Sequence, residues 1–388
     1  MENSKFSIGK NVVVPLFCGI IGASLVIGGD YVFSKKNINT SNNENTRIEN
    51  TSSYESAKTN NINTSLVSLT NYSDTSVGVA QKVLPSVVGI TVEYDVNSIF
   101  SRTSSTATAG GSGIIISEDG YILTNNHVIS SSSSSLFYEL SEATKITISL
   151  YNDDTEYEAR VIGKDEQTDL AVLKIEKTGL TAATLGDSDS IQIGEFAMVI
   201  GNPLGMQNSV ASGIISGTNR KITTDGKTYN VIQTDAAINS GNSGGALVNS
   251  KGEVIGVNTL KSAGTGVEGL GFAIPINSTK DIVEQLITYN KVKRPYLGFT
   301  GIDLTESLAK RNNLPEGIYV KTVEDFSSAE KAGLKVGDVI LKFNGKQVKS
   351  MDEFNEIKNT YKIGDEVTLT ISRNGEEKEI KATLSEQP

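Results

Sequence analysis

The sequence predicts a mostly β protein with two folded units behind an apolar N-terminal segment. Three observations predict it. Its 388 residues exceed one ordinary domain and suit two or three. From residue 87 onward short apolar runs recur, separated by Gly, Asn, Asp and Ser, which is how barrel or sandwich strands read. Between residues 37 and 74 Asn, Ser and Thr dominate without periodicity, so that stretch cannot bury enough surface to offset its ordering entropy.

The elements follow in order. Residues 12–29, VVVPLFCGIIGASLVIGG, carry no charge. At ~1.5 Å per residue the run through Phe33 is long enough to cross a hydrocarbon core. Lys5 and Lys10 precede it and Lys35 and Lys36 follow, so flanking charge says little about orientation. A retained signal-anchor, a cleaved signal peptide and a buried helix are all open, and the lack of an A-x-A-like site favours retention. Cys18 follows the bulky Phe17, which disfavours lipid attachment there. The expected layout is a short cytoplasmic tail (1–11), a transmembrane signal-anchor (12–33) and a flexible Asn/Ser-rich linker (34–74).

The first folded unit, 75–290, opens with a short helix at 77–84. Strand-like runs follow at 87–94, 112–117, 121–126, 145–151, 158–164, 171–177, 196–201, 230–234, 246–249, 253–260 and 271–276. The serine run 130–135 has nothing to pack and reads as a loop. A helix at 278–289 sets Ile282, Val283, Leu286 and Ile287 on one face and closes the unit. The second unit, 291–388, alternates strands (YLGF, GIYVKTV, DVILKF, EVTLTISRN) with helices near 328–332 and 351–359.

Two scarcities narrow the chemistry. His127 is the single histidine and Cys18 the single cysteine, which excludes an intramolecular disulfide and a cysteine metal cluster. No metal or other cofactor is expected. The net charge of -10 argues against nucleic acid as a partner, and no P-loop points to ATP.

A serine hydroxyl needs a base to take its proton and donors for the resulting oxyanion. Gly241-Asn242-Ser243-Gly244-Gly245 offers glycines that let the backbone turn sharply around a serine. Alone, the string is equally a bland Gly-rich turn. It also matches G-x-S-x-G, but in that hydrolase class the histidine follows the serine, and none follows Ser243. His127 ends a strand-like run and Asp169 opens another. The order His127, Asp169, Ser243 is that of chymotrypsin-class proteases.

TNNHV, TDLAVLK, TDAAINSGNSGGAL and GFAIPI together resemble the HtrA (Deg) family of trypsin-like serine proteases, over roughly residues 75–388. The resemblance implies a chymotrypsin-like double β-barrel protease domain followed by an α+β PDZ domain. It implies a catalytic triad of His127, Asp169 and Ser243, with an oxyanion hole from Gly241, Asn242 and Ser243. Ala237 and Ile238 stand where a trypsin-like pocket would hold an Asp, so small or medium apolar side chains are expected there, with Asn258 and Leu260 as a further wall. Tyr296, Leu297, Gly298 and Phe299 resemble a PDZ carboxylate-binding loop, where a peptide C-terminus adds a strand. The alternative is a small β domain that only packs on the protease.

The expected function is ATP-independent cleavage of unfolded or damaged proteins by a single-pass protein of a bacterial cell membrane, its folded domains outside the cytoplasm; the resemblance implies a homotrimer. A binding-only chaperone and a general esterase are the competing readings. Peptide binding at residues 296–299 is expected to shift the loops at 202–205 and 260–271. The loop at 95–110 reads as short.

Overall fold

The computed structural model describes residues 69–98, 105–130, 134–135, 138–203, 208–224, 227–259 and 270–388. The predicted membrane segment and most of the linker lie outside these residues. Among the described residues no helix is long and apolar enough to cross a membrane.

Helix α1 runs Leu69–Val83, starting earlier than the predicted 77–84. Only its second half carries the apolar spacing: Val79 and Val83 are 4 % and 3 % exposed, while Tyr72 on the polar half is largely open. Tyr72 is held instead by an edge-on contact with Phe196, centroids 5.8 Å apart, and by its hydroxyl on Ser212. Pro85 then opens a 3-10 turn, Leu84–Ser86.

Seven strands form the first sheet: β1 (Val87–Ser98), β2 (Ser105–Ile115), β3 (Tyr121–Asn125), β4 (Ser134–Ser135), β5 (Tyr138–Ser149), β6 (Glu156–Asp165) and β7 (Leu170–Ile175). Their order is β1-β2-β3-β7-β6-β5-β4, and β1 also pairs with β5, so the sheet returns on itself. The predicted short loop at 95–110 is largely ladder, paired out to Val96 opposite Ser105. Its Thr, Ser, Ala and Gly residues lack an apolar run, so the strand signal was weak there. Ser134 and Ser135, expected in a loop, pair with β5. A one-turn helix α2, Asn126–Ile129, follows β3 and carries His127.

The second sheet is a closed barrel, β10-β13-β12-β11-β8-β9. Its strands are β8 (Phe196–Gly201), β9 (Ser209–Thr224), β10 (Lys227–Thr234), β11 (Ala246–Val248), β12 (Val254–Thr259) and β13 (Gly271–Pro275). Strand β9, the longest of the barrel, was not anticipated. It reads SVASGIISGTNRKITT and most of its side chains are partly or fully exposed, with Ile215 and Gly217 the buried ones, so pairing on both sides rather than apolar content makes it a strand.

A shared core joins the barrels. Val79 and Val83 of α1 pack with Val87, Ile114 and Leu123 of the first barrel and Met198, Ile200 and Val257 of the second. Each such side chain contributes about 1.5–3 kcal/mol by leaving water. Helix α3 (Ile276–Tyr289) ends in Asn290 with left-handed backbone and sets Leu286 against Ile162 and Val172. That ties the end of the second barrel back to the first.

The last domain carries β14 (Pro295–Tyr296), β15 (Phe299–Leu304), helix α4 (Glu306–Asn312), β16 (Gly317–Val323), helix α5 (Ser328–Lys331), β17 (Val339–Phe343), β18 (Lys346–Gln347), helix α6 (Met351–Lys358), β19 (Glu366–Arg373), β20 (Glu376–Thr383) and β21 (Ser385–Glu386). Its main sheet is ordered β15-β16-β17-β19-β20, leaving β15 at an edge. Its core stacks Phe299 and Phe343 edge-on against Phe354. Helix α4 and strand β20 were missed because their residues are mostly charged and exposed. This domain and the barrels form one unit, Leu66–Pro388.

Candidate active site

The three predicted chemical residues come from both barrels: His127 and Asp169 from the first, and Ser243 from the loop before β11 of the second. Asp169 sits in the turn between β6 and β7 with φ of 59°, the left-handed region that a non-glycine residue seldom adopts. The turn is pinned at its base: Asp165 accepts from the Thr168 N–H and takes a two-pronged contact from Arg294 at 2.7 and 2.8 Å. Burial alone would push the Asp165 carboxyl up, but the Arg294 and Thr168 bonds outweigh it and hold it below the usual carboxylate range.

Asp169 is 1 % exposed and grips His127 twice. Oδ1 accepts the His127 backbone N–H at 3.0 Å, and Oδ2 stands 2.7 Å from His127 Nδ1. An ionised carboxylate only accepts, so the proton is on Nδ1 and the lone pair is on Nε2. The Asp169 carbonyl takes the Asn126 N–H at 3.0 Å and the Asn125 side-chain amide at 3.0 Å, fixing α2 against the turn. The imidazole remains 27 % open to solvent.

Ser243 lies on a loop of two tight turns. The first spans Asn239 to Asn242, closed by Asn242 N–H on the Asn239 carbonyl at 3.0 Å. Its third residue, Gly241, has φ of 97°, which makes it a type II turn and sets the direction of the Ser240–Gly241 peptide. A Cβ at Gly241 would come 2.4 Å from Pro203 Cβ. The second turn is closed by Gly245 N–H on the Asn242 carbonyl, and Gly244 N–H goes to Asn258. Among the described residues, the N–H groups of Gly241 and Ser243 serve no backbone bond.

Sequence reasoning missed the residue that braces this loop. Ser112, fully buried on β2, donates its hydroxyl to the Gly241 carbonyl at 2.6 Å and accepts the Asn202 N–H at 2.8 Å. Its own N–H reaches the Ser243 carbonyl at 2.8 Å, and its carbonyl accepts the Thr124 hydroxyl at 2.7 Å. One residue of the first barrel therefore holds the carbonyls on either side of Asn242 in the second. The only signal in the sequence was a polar residue interrupting the apolar GGSGIII run.

The chain matches a family model described as a trypsin-like peptidase domain over residues 111–257 and one described as a PDZ domain over residues 295–384. It is 41% identical over an alignment of 405 positions to the serine protease Do-like HtrB of Bacillus subtilis, covering 96% of this chain and 82% of that one. The chain belongs to the HtrA (Deg) family of serine proteases. The periplasmic pH-dependent serine endoprotease DegQ of Escherichia coli is 39% identical, with 78% of this chain and 69% of that one covered. Among solved structures, the HtrA-type protease AlgW with a decapeptide aligns at a TM-score of 0.67 and 33% identity, covering 81% of this chain and 99% of that one. A serine endoprotease from Yersinia pestis aligns at 0.61 and 35% identity, over 81% and 98%.

The chain is thus a serine protease, and its remaining predicted residues divide by place. Ala237 is exposed. Ile238 is half-buried among Ile232, Ala236, Leu247, Ile255 and Ala273, and a Cβ on Gly271 would come 3.0 Å from it, so this wall is apolar. Asn258 is fully buried: its side-chain amide donates to the Ala246 carbonyl at 2.9 Å, and its backbone holds Gly244 and Gly245. Its place is behind the nucleophile loop. Leu260 lies outside the described residues, as does most of the 202–205 and 260–271 loops.

In the PDZ domain the predicted loop leads into the edge strand β15. Leu297 and Phe299 are buried, and Gly298 has φ of 85°. The Leu297 carbonyl accepts from Ala329 at 2.7 Å and the Gly298 carbonyl from Glu324 at 2.9 Å. Among the described residues the Leu297 and Gly298 N–H groups serve no backbone carbonyl. Burial and the hydrogen bond to Glu324 raise the Tyr296 phenol to about 12. With β15 at the sheet edge beside α6, an added peptide strand has both a ladder and donors to meet.

Proposed function

We propose that this HtrA-family protein is a membrane-anchored, ATP-independent serine endoprotease that cleaves unfolded or damaged proteins outside the bacterial cytoplasm. In this reading residues 12–33 anchor the chain, 34–74 tether it, 75–290 form the protease domain and 291–388 the PDZ domain, and the protein works as a homotrimer. The periplasmic placement named for relatives such as DegQ supports the location. The observation that carries the chemistry is the double grip of Asp169 on His127 beside a serine loop with two unspent donors.

His127 Nε2 takes the Ser243 proton as Oγ attacks the scissile carbonyl. Asp169 stabilises the imidazolium that forms, and the N–H groups of Gly241 and Ser243 take the oxyanion. His127 then hands the proton to the leaving amine, and water, deprotonated by the same ring, releases the acyl group from Ser243. The apolar wall at Ile238 selects small or medium apolar side chains at the cleavage point.

The test is casein cleavage and fluorophosphonate labelling of the full chain in detergent, beside Ser243→Ala. Both signals are expected in the wild type, with cleavage lower by roughly 10⁴–10⁶-fold in the variant and no label. A folded wild-type chain that takes no label and cleaves nothing would leave the protein a binding-only chaperone and sink the proposal.

A further inference from the structure

The PDZ domain buries a cation that pairs with no acid among the described residues. Lys358, in the last turn of α6, is 7 % exposed. Its Nζ donates to the Pro295 carbonyl at 2.6 Å, and among the described residues it makes no ion pair. An ammonium has three donors, so most of its capacity is unspent in a place where water is scarce.

What it faces is informative. Lys358 lines a cavity of about 660 Å³ together with Leu297, Gly298, Phe299 and Phe354. Lys358 and the loop residues Leu297 and Gly298 therefore line one space. Arg294 borders it too, but both its terminal nitrogens are committed to Asp165 across the domain boundary. Of the cations there, Lys221 is taken by Glu356 and Lys227 by Glu166.

We propose that Lys358 is the countercharge for the C-terminal carboxylate of a bound peptide whose last side chain is apolar. The inference rests on the reading of the PDZ domain as a peptide C-terminus binder. The loop N–H groups orient the carboxylate, Lys358 neutralises it while keeping Pro295, and Leu297, Phe299 and Phe354 take the last side chain.

A pH dependence follows. Burial, and next the nearby Arg294 charge, lower Lys358 to about 8. Below that value the ammonium is charged and holds the carboxylate; above it the free protein presents a neutral amine, and binding weakens as pH rises. The other groups on this face do not mimic that change. Asp352 and Glu356, on α6 itself, bond to Thr228 and Lys221. From the protease side, Asp165 is held below the usual carboxylate range by Arg294 and Thr168, and Glu166 pairs with Lys227. Lys221 and Lys227 are raised by hydrogen bonds to Glu356 and Glu166, and Tyr296 stands at about 12.

The experiment uses the full chain in detergent with Ser243→Ala, to prevent digestion of the probe. The probe is a fluorescein-labelled decapeptide ending in valine, as free acid and as C-terminal amide, titrated by anisotropy at pH 7 and pH 9.5. The free acid should bind at least about tenfold more tightly than the amide at pH 7 and lose most of that advantage by pH 9.5. Lys358→Met, which keeps the apolar stem, should keep only the acid preference that the loop N–H groups supply, smaller than that of the wild type at pH 7 and unchanged at pH 9.5. Lys358→Arg should keep the preference for the acid at pH 9.5, because guanidinium does not titrate there. An acid preference as large as the wild type's, with the same fall between pH 7 and pH 9.5, in Lys358→Met would overturn the role of Lys358 while leaving the peptide site standing. Binding of neither peptide to any form would overturn both.

Discussion

The nucleophile loop around Gly241 and the carboxylate loop around Gly298 are alike in backbone and unlike in how they are held. Each turns on a glycine of positive φ, 97° and 85°, and in each two N–H groups serve no backbone bond among the described residues. At each a Cβ would collide, with Pro203 Cβ at 2.4 Å and with Ser327 Cβ at 2.3 Å. But the first is clamped from across the barrel boundary by Ser112, through bonds of 2.6 and 2.8 Å to the carbonyls of Gly241 and Ser243. The second is held, among the described residues, by its own domain, through the carbonyls of Leu297 and Gly298. An oxyanion forms for an instant and gains only from donors already aimed at it. A peptide that stays bound can be met by an open strand edge and adaptable side chains.

The sharpest way to break this comparison is Gly241→Ala. The substitution is strained at this φ and meets Pro203, so the Ser240–Gly241 peptide should turn away and withdraw a donor. We expect kcat on a peptide substrate to fall by roughly 10²–10³-fold with fluorophosphonate labelling slowed alike. Near-wild-type turnover would mean that Gly241 N–H does not serve the oxyanion.

Next in size is Arg294→Ala, which probes the brace between the two regions. It strands the Asp165 carboxylate, nine-tenths buried, and should cost about 2–4 kcal/mol in urea unfolding. The sign of its pH dependence follows from the lowered Asp165 value. That pairing stabilises the fold above the ordinary carboxylate value of ~4 and is lost as pH falls through the lower folded-state value. The difference between wild type and variant should therefore be full at pH 7 and shrink towards pH 2. A constant difference across that range would remove the ion pair as its cause.

The smallest effect is expected from Ser112→Ala. It leaves the part-buried Gly241 carbonyl without that donor, at about 1–3 kcal/mol. Because that carbonyl belongs to the turn that aims the Gly241 N–H, kcat should drop roughly tenfold while KM stays within about twofold. Loss of stability with unchanged kcat would reduce Ser112 to a packing role.

Much of this was legible in the chain. The strand runs are short and strongly apolar, so most were placed to within a few residues. The single histidine, read with the order of GNSGG and TDLAVLK, left one arrangement of base and nucleophile open. Elements without an apolar stripe escaped: β9 and β20 are strands because their backbones pair, and the first half of α1 because Tyr72 finds Phe196. Ser112 escaped for a related reason. A serine among glycines carries no periodic signal, and its four partners lie 12 to 131 positions away in the chain, the nearest being the Thr124 hydroxyl.

By itself, then, the sequence determined the fold class, the succession of domains and the residue types available for chemistry, because those follow from local apolar periodicity and from which side chains exist at all. Only the tertiary structure decided which donors stay unspent among the described residues, that Arg294 is already committed to Asp165, and that Lys358 is buried with no ion pair among them. Those are properties of partners brought together from distant parts of the chain. Burial and pairing, unlike periodicity, have no value until the partners have met.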